Sequence, residues 1–400
     1  MLTLLRGLTV LDLTTIVLGP MATQTLGDLG ADVVKIEALD GDLARRAPPH
    51  GGHDTDRGAM FVNNNRNKRS IALDLKRPEG QEVLHRLIGR ADVLVHNMRP
   101  AAAERLGLAP AAVLALNPRI IHCVAVGFGS GGPYAGRPAY DDVIQAVSGV
   151  ASLPMLTGGA PAYVPTILCD KIAALHVVHA VLAALFARER SGQGLHVEVP
   201  MFEAIAAFLL NEHLAAASFS EEGRCGYPRI LDPNRRPFRT ADGWIAILPY
   251  TNAQWRRLLQ DIGRTDILAE SWFDTPGELN RRAGELYALL AAAAPGRSTA
   301  QWCRDLQRLD IPHGPVNSLD DLLTDPHLQA VGFFLPNMED PAVRRTLSQP
   351  VSFAGIPSRQ DRAPPGLGAH GREILQEAGM TQAAIQSLID RGVLGPPMTS

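Results

Sequence analysis

Residues 8–37 read LTVLDLTTIVLGPMATQTLGDLGADVVKIE. The runs 8–13 and 31–37 are short and apolar, the texture of strands buried on both faces. Between them, 21–29 carries apolar side chains at helical spacing. A strand, a helix and a second strand within thirty residues predict a parallel βαβ unit, because a parallel pair needs a crossover between its strands. The same alternation continues outward. Further strands are expected at 70–75, 92–96, 119–126 and 195–199, with helices at 78–90 and 170–190. The first half of the chain therefore reads as α/β, a parallel sheet with helices on both faces. From 223 to 242 the texture changes to GRCGYPRILDPNRRPFRTAD, an irregular or linking segment. WIAILP at 244–249 reads as a strand, followed by helical runs near 253–262, 276–294 and 299–308. Past 325 come short loop-rich pieces and two helical runs, 372–379 and 381–391.

Composition narrows the class. The 400 residues are 46% hydrophobic and 20% charged, enough for a large core and too weakly charged for a disordered chain. With 38 basic and 41 acidic residues the net charge is −3, so no basic nucleic-acid footprint marks the whole chain. Cys123, Cys169, Cys225 and Cys303 stand far apart without a CxxC pair, which signals neither a disulfide framework nor a thiolate zinc site. The apolar start is interrupted by Arg6 and Asp12, and a strand explains it better than a secretory signal. The apolar run 172–187 contains His176 and His179 and is read as a buried helix, too short and polar to span a bilayer. A cytoplasmic enzyme is expected.

Several residues invite chemistry. GFGSGG at 127–132 contains GxGxxG after a strand, but Pro133 follows where a dinucleotide site needs a helix, so a ligand-facing loop is favoured. NNNRNKR at 63–69 reads as a solvated turn, with phosphate binding as the sharper alternative. His50, His53 and Asp54 lack a second ligand cluster, so no metal site is assigned. His176 and His179 are read as satisfied core histidines. Asp170 follows VPTILC and opens a long Gly- and Pro-free helix. It is either a helix N-cap or a carboxylate held ionised by the helix dipole, as covalent acyl transfer would need.

Whole blocks of the chain resemble the class III CoA-transferase family, which includes formyl-CoA, carnitine and dicarboxylate CoA-transferases and the 2-methylacyl-CoA racemases. The matching blocks are 5–37, NKRSIALDLKRPEGQEVLHRLIGRADVLVHNMRPAAAERLGL at 67–108, GFGSGGPYAGRPAYDDVIQAVSG at 127–149 and CDKIAALHVVHAVLAALFARERSGQGLHVEVPMFEA at 169–204. Later come LDIPHGPVNSLDDLLTDPHLQAVGFF at 309–334 and APPGLGAHGREILQEAG at 363–379. The resemblance implies a doubly wound, Rossmann-like large domain that is discontinuous, with a smaller inserted α+β domain, and an interlocked homodimer. The boundaries it suggests are 1–200 for the first part of the large domain, 201–225 for a linker helix, 226–324 for the small domain and 325–400 for the return.

The family's nucleophilic aspartate falls on Asp170. The implied CoA-binding positions are Leu73, Lys76, Asn97, Arg105, Tyr140 and Asp141, with coenzyme A and acyl-CoA as substrates and no permanently bound cofactor. The glycine loop 127–132 is the expected source of oxyanion donors. Implied partners are an acyl-CoA, a small carboxylic acid and a second copy of the chain, with no nucleic acid and no membrane. The sequence also departs from its relatives. Ala38 stands where many carry an adenine-side Arg, leaving Arg45 or Arg46 as substitutes. Val17 stands where formyl-CoA transferases have Gln, and no tetraglycine loop is found. Ala139-Tyr140-Asp141 replaces the racemases' GHD, which favours CoA transfer over racemisation because a tyrosine of ordinary pKa near ~10 is a poor proton-transfer partner. The alternatives are a 2-methylacyl-CoA racemase and a non-catalytic CoA-binding protein. Arg229, Arg235, Arg236 and Arg239 would suit the distal carboxylate of a dicarboxylic acceptor, or form a solvated linker.

Overall fold

The computed structural model describes residues 1–51, 57–336, 343–356 and 362–396. His53 and Asp54 lie outside them. The chain divides into two compact units, Met1–Ala151 with Tyr163–Phe208 and Ala330–Ser400, and Ser152–Ala162 with Leu209–Gln329.

The first unit is built on six parallel strands: β1 (Thr9–Leu13), β2 (Asp32–Glu37), β3 (Lys68–Ala72), β4 (Val93–His96), β5 (Ile121–Val126) and β6 (Leu195–Pro200). Their order is β3-β2-β1-β4-β5-β6. The order reverses between β1 and β4, and a crevice opens at the carboxyl ends of strands where such a reversal occurs. The helices of this unit are α1 (Leu18–Asp28), α2 (Ala59–Asn64), α3 (Pro78–Ile88), α4 (Pro100–Arg105), α5 (Pro110–Leu116), α6 (Asp141–Val147), α7 (Leu168–Ser191) and α8 (Met201–His213), the last running past the division at 208. In α3, Pro78 sits at the start, where its missing N–H is harmless, and Val83, Leu84, Leu87 and Ile88 form the buried stripe. They share a core with Leu11, Val34, Ile71 and Leu94 of the sheet. The C-terminal helices Gly371–Glu377 and Gln382–Asp390 add Ile374, Leu375, Ile385 and Leu388 to that core.

Helix α7 is longer than its apolar run. It has 24 residues and is long and apolar enough to cross a membrane by length and composition, contrary to the expectation from 172–187. It is not wholly buried either: Ala173, Val177, Val181 and Leu185 are buried, while Leu175 and Phe186 are exposed. It packs along α1, β5 and β6. It ends at left-handed Gly192, whose N–H donates to the Arg188 carbonyl, the usual glycine stop.

The basic run at 63–69 is the largest departure from the sequence reading. Asn65, Arg66, Asn67, Lys68 and Arg69 are buried, not solvated. Lys68 donates to Asp12 at 2.9 Å, Arg66 pairs with Asp28, and Arg69 pairs with Asp32, Glu373 and Glu377. Buried charges are tolerated when such partners meet them, and sequence spacing cannot reveal partners tens of residues away.

The second unit has a small antiparallel sheet of Phe238–Arg239, Trp244–Ile247 and His313–Pro315. Its core gathers Trp255, Leu258, Tyr287, Leu290, Trp302 and Leu306. Capping boxes, Thr251 with Gln254 and Ser298 with Gln301, start the helices Asn252–Asp261 and Thr299–Arg308. Arg235, Arg236 and Arg239 are exposed in this unit, and Arg229 stacks over Tyr250 at 4.6 Å.

Candidate active site

The crevice at the strand reversal holds a cleft of about 240 Å³. Its walls come from the turn after β1 (Thr15, Ile16), Asn97 after β4, the glycine loop after β5, and Tyr140 and Asp170. Of the seven site residues expected from sequence, Asn97, Tyr140 and Asp170 line this one space. Leu73, Lys76, Arg105 and Asp141 are not in its lining. Leu73 is fully buried in the sheet core, while Lys76 and Arg105 are exposed.

Asp170 is not the N-cap of α7. It is the third residue of the helix, whose N-cap is Ile167 without a side-chain cap. The capping oxygen comes from elsewhere. Asp141, at the start of α6, accepts from the Cys169 N–H at 2.6 Å and the Asp170 N–H at 3.1 Å through the same oxygen. Its other oxygen accepts from Gln145 at 2.7 Å. Asp141 thus supplies the orphan amides of the helix start with an acceptor that the local sequence lacks.

This cap corrects the expected electrostatics of Asp170. Burial pushes its carboxyl up to about 6, and the neighbouring Asp141 charge adds to the rise. A hydrogen bond from the Leu18 backbone opposes them. Desolvation and a like charge together outweigh the helix terminus. The adjacent Cys169 thiol is pushed up to about 12 by burial and the nearby aspartates, and Cys123 likewise to about 12 by burial, so neither is a thiolate nucleophile near neutral pH.

The glycine loop runs without a helix to Tyr140, as Pro133 predicts. Two of its amides are already occupied, contrary to their expected role as oxyanion donors. Gly129 donates to Glu203 at 3.0 Å and Ser130 to Glu198 at 2.8 Å. A Cβ at Gly129 would stand 2.6 Å from the Glu203 oxygen, so glycine is needed for this approach. Glu198 and Glu203 carry no signal in the sequence, since ordinary acidic residues on a strand end and a helix start look solvated. Arg99 and Arg137 also line the cleft, and Arg137 stacks over Tyr134 at 4.3 Å.

Arg45 cannot serve as a free adenine-side cation. It is buried, bidentate to Glu37 at 2.7 and 2.8 Å, and stacked on Phe61 at 3.7 Å. Arg46 is the exposed one of the two, paired with Asp40 at 3.4 Å. Val17 is buried, and Ile16 beside it faces the cleft. His176 and His179 are not core histidines. Their rings meet at 4.8 Å on α7, with His179 exposed. A stack unseen in the sequence joins His96, His122 and His196 across β4, β5 and β6, with 3.1 and 3.3 Å between ring nitrogens. Burial lowers His96 to about 4 and His122 to about 3. Among the described residues no group of three His, Cys, Asp or Glu side chains is arranged to hold a metal ion.

The chain is 32% identical over 391 residues to a succinate–glutarate CoA-transferase of Agrobacterium fabrum, covering 93% of this chain and 95% of the relative. It is 31% identical to the succinyl-CoA–L-malate CoA-transferase beta subunit of Chloroflexus aurantiacus, over 98% of each chain. The solved CAIB/BAIF family protein of Brucella suis superposes with a TM-score of 0.81 at 30% identity, covering 94% of this chain and 100% of that one. The description of CoA-transferase family III matches residues 5–371, and the chain belongs to that family as an enzyme that transfers coenzyme A between CoA thioesters and acids.

Proposed function

We propose that the enzyme moves CoA from an acyl-CoA donor to a small carboxylic acid through covalent intermediates on Asp170. The observation that carries this reading is the half-buried carboxylate of Asp170 in the wall of the cleft, its carboxyl pushed up to about 6. That value leaves it ionised at neutral pH and more basic than a solvated carboxylate.

An Asp170 oxygen attacks the thioester carbonyl carbon. The C–S bond breaks, leaving a mixed anhydride and CoA thiolate. The thiolate attacks the Asp170 carboxyl carbon, which releases the donor acid and leaves an aspartyl-CoA thioester. The acceptor carboxylate attacks that thioester carbonyl and expels CoA thiolate, forming a second anhydride. Attack of the thiolate on the acceptor's acyl carbon makes the new acyl-CoA and frees Asp170. No water is consumed, so exclusion of water protects each intermediate. With the Gly129 and Ser130 amides occupied, the hydroxyls of Thr15, Ser130 and Tyr140 are among the donors in the lining that can meet oxyanion charge. Arg99 and Arg137 supply positive charge for CoA phosphates. Tyr140 stands where racemases carry His, so the imidazole of their acid–base pair is missing, which supports transfer over racemisation.

The test is incubation with succinyl-CoA followed by hydroxylamine or borohydride. The peptide containing Asp170 is expected to be modified, and Asp170→Asn to lose transfer by at least about a thousandfold. An unmodified Asp170, or full activity of Asp170→Asn, overturns the reading. Offering succinyl-CoA with a panel of mono- and dicarboxylic acids identifies the acceptor. The relatives' named acids and the exposed Arg235, Arg236 and Arg239 support a dicarboxylate. If Arg235→Ala changes neither acid class, that refinement fails.

The strand order supports the Rossmann-like, doubly wound description of the large domain. Exposed Leu175 and Phe186 on α7 and Phe208 on α8 support a homodimer, of the interlocked kind that the family resemblance implies. A cytoplasmic location completes the reading, and cell fractionation checks it.

A further inference from the structure

The turn from Thr14 to Leu18 is held by side chains from far along the chain. Asp12 accepts from the Thr14 N–H and hydroxyl at 3.0 and 2.5 Å. Lys35 donates to the Thr14 carbonyl at 2.9 Å. Asn97 accepts from the Thr15 N–H and donates to the Thr15 carbonyl, both at 3.1 Å. Asp42 accepts from the Ile16 N–H with both oxygens, at 3.1 and 3.3 Å. Ile16 and Leu18 then line the cleft together with Asp170, whose charged form the Leu18 backbone amide favours.

Ile16 has φ +71°, in the left-handed region that a β-branched residue rarely adopts. Such a conformation persists only when its surroundings impose it, and it gathers at functional sites. Asp42 is what imposes it here. Its carboxylate is fully buried, pairs with fully buried Lys35 at 3.0 Å, and also accepts from the Ala44 N–H at 3.0 Å. Glu37 fixes the Asp42 backbone by accepting from its N–H at 3.1 Å. At the other end of the turn, a side chain at Gly19 would run into Thr14, so glycine is needed for this close approach.

We propose that Asp42, anchored by Lys35, is a positioning residue for the reaction: it clamps Ile16 in its left-handed conformation and so keeps the Leu18 amide on the carboxylate of Asp170. The inference rests on Asp170 being the nucleophile. Asp42 touches no substrate. Its effect passes through two residues of backbone, a distance over which a small rotation of the Ile16 peptide removes a hydrogen bond.

The carboxyl of Asp170, labelled with carbon-13 and identified by its absence in Asp170→Asn, is titrated by NMR in the full-length protein. This readout needs no turnover. Asp141 on α6, together with Glu198 and Tyr140 of the cleft, is left unchanged, and loss of the Asp42 negative charge would by itself lower the midpoint, so a rise reports the loosened turn. Asp42→Asn is expected to raise the Asp170 midpoint by about half a pH unit or more. Ile16→Gly keeps the φ +71° turn accessible without side-chain strain, and serves even if Asp42→Asn fails to fold. It loosens the same clamp and is expected to raise the midpoint as well. The double variant is expected to shift by less than the sum, because both changes release one turn. In turnover with succinyl-CoA, kcat is expected to fall about tenfold with KM within about twofold. An unmoved midpoint in the folded variants, or strictly additive shifts, overturns the proposal. A midpoint that responds to Asp42→Asn in a protein whose Asp170 is never acylated upholds the clamp and rejects the nucleophile; acylation with an unmoved midpoint does the reverse.

Discussion

At the residue scale Asp170 carries the sharpest predictions. Its ordinary carboxyl value is 3.8 and its folded value about 6. The unfolded chain therefore ionises first. Between pH 4 and 6 the folded chain binds more protons, so stability falls as pH rises through that window and the loss is complete above it. Asp170→Asn is expected to raise the melting temperature by a few degrees at pH 8 and to leave it unchanged near pH 3.5, as calorimetry would show. Because the reacting form is the carboxylate, kcat/KM is expected to fall with a one-proton slope below about pH 6. Asp141→Asn keeps an acceptor for the helix amides but removes the like charge. It is expected to move that limb toward lower pH; a limb that stays in place would show that burial alone sets the value. Asp170 was visible in sequence as a carboxylate at a helix start. Its elevated pKa was not, because the second charge lies 29 residues earlier.

At the element scale, α7 begins without a local cap, and Asp141 completes it from α6. Asp141→Ala is expected to destabilise the protein by about 1 kcal/mol in urea unfolding, the usual loss for a helix cap. Buried Asp12 holds Lys68 at 2.9 Å, and the Lys68 and Lys35 charges hold its carboxyl far below the usual range despite the opposing burial. Asp12→Ala leaves the buried Lys68 ammonium without its carboxylate partner, and about 3–5 kcal/mol of stability is expected to be lost. A loss below about 1 kcal/mol would mean that water or a rearrangement meets that lysine. In the glycine loop, Gly129→Ala is expected to displace Glu203 and lower kcat/KM at least about tenfold, because the loop and Tyr140 share the cleft wall. Strand and helix positions were legible from periodicity, and β5 and β6 appear where apolar runs put them. Which amides of the glycine loop are free was not legible, because Glu198 and Glu203 reach it from the far side of a crossover.

At the scale of the whole molecule, the proposed homodimer gives a direct test. Analytical ultracentrifugation is expected to show a mass twice that of the chain, and Phe186→Glu on the exposed face of α7 to weaken association. A monomeric wild type would remove that proposal. The two compact units do not follow the chain in blocks: Ser152–Ala162 groups with Leu209–Gln329, while Ala330–Ser400 groups with the N-terminal sheet. Sequence by itself determined the α/β class and the order of strands along the chain, since a parallel strand buried on both faces must be an apolar run and its crossover must be helical. It also determined the family and the candidate nucleophile, through blocks spread from residue 5 to 371. Only the tertiary structure decided which charges are free. Arg45 read as an adenine-side cation, and Arg66, Lys68 and Arg69 as a solvated turn or a phosphate site, yet each is buried against a carboxylate. It alone revealed the left-handed Ile16 and the Asp42–Lys35 pair that imposes it. The reason is physical: hydrophobic periodicity is a local property of the chain, whereas the pairing of a buried charge is fixed by partners that only folding brings within 3 Å.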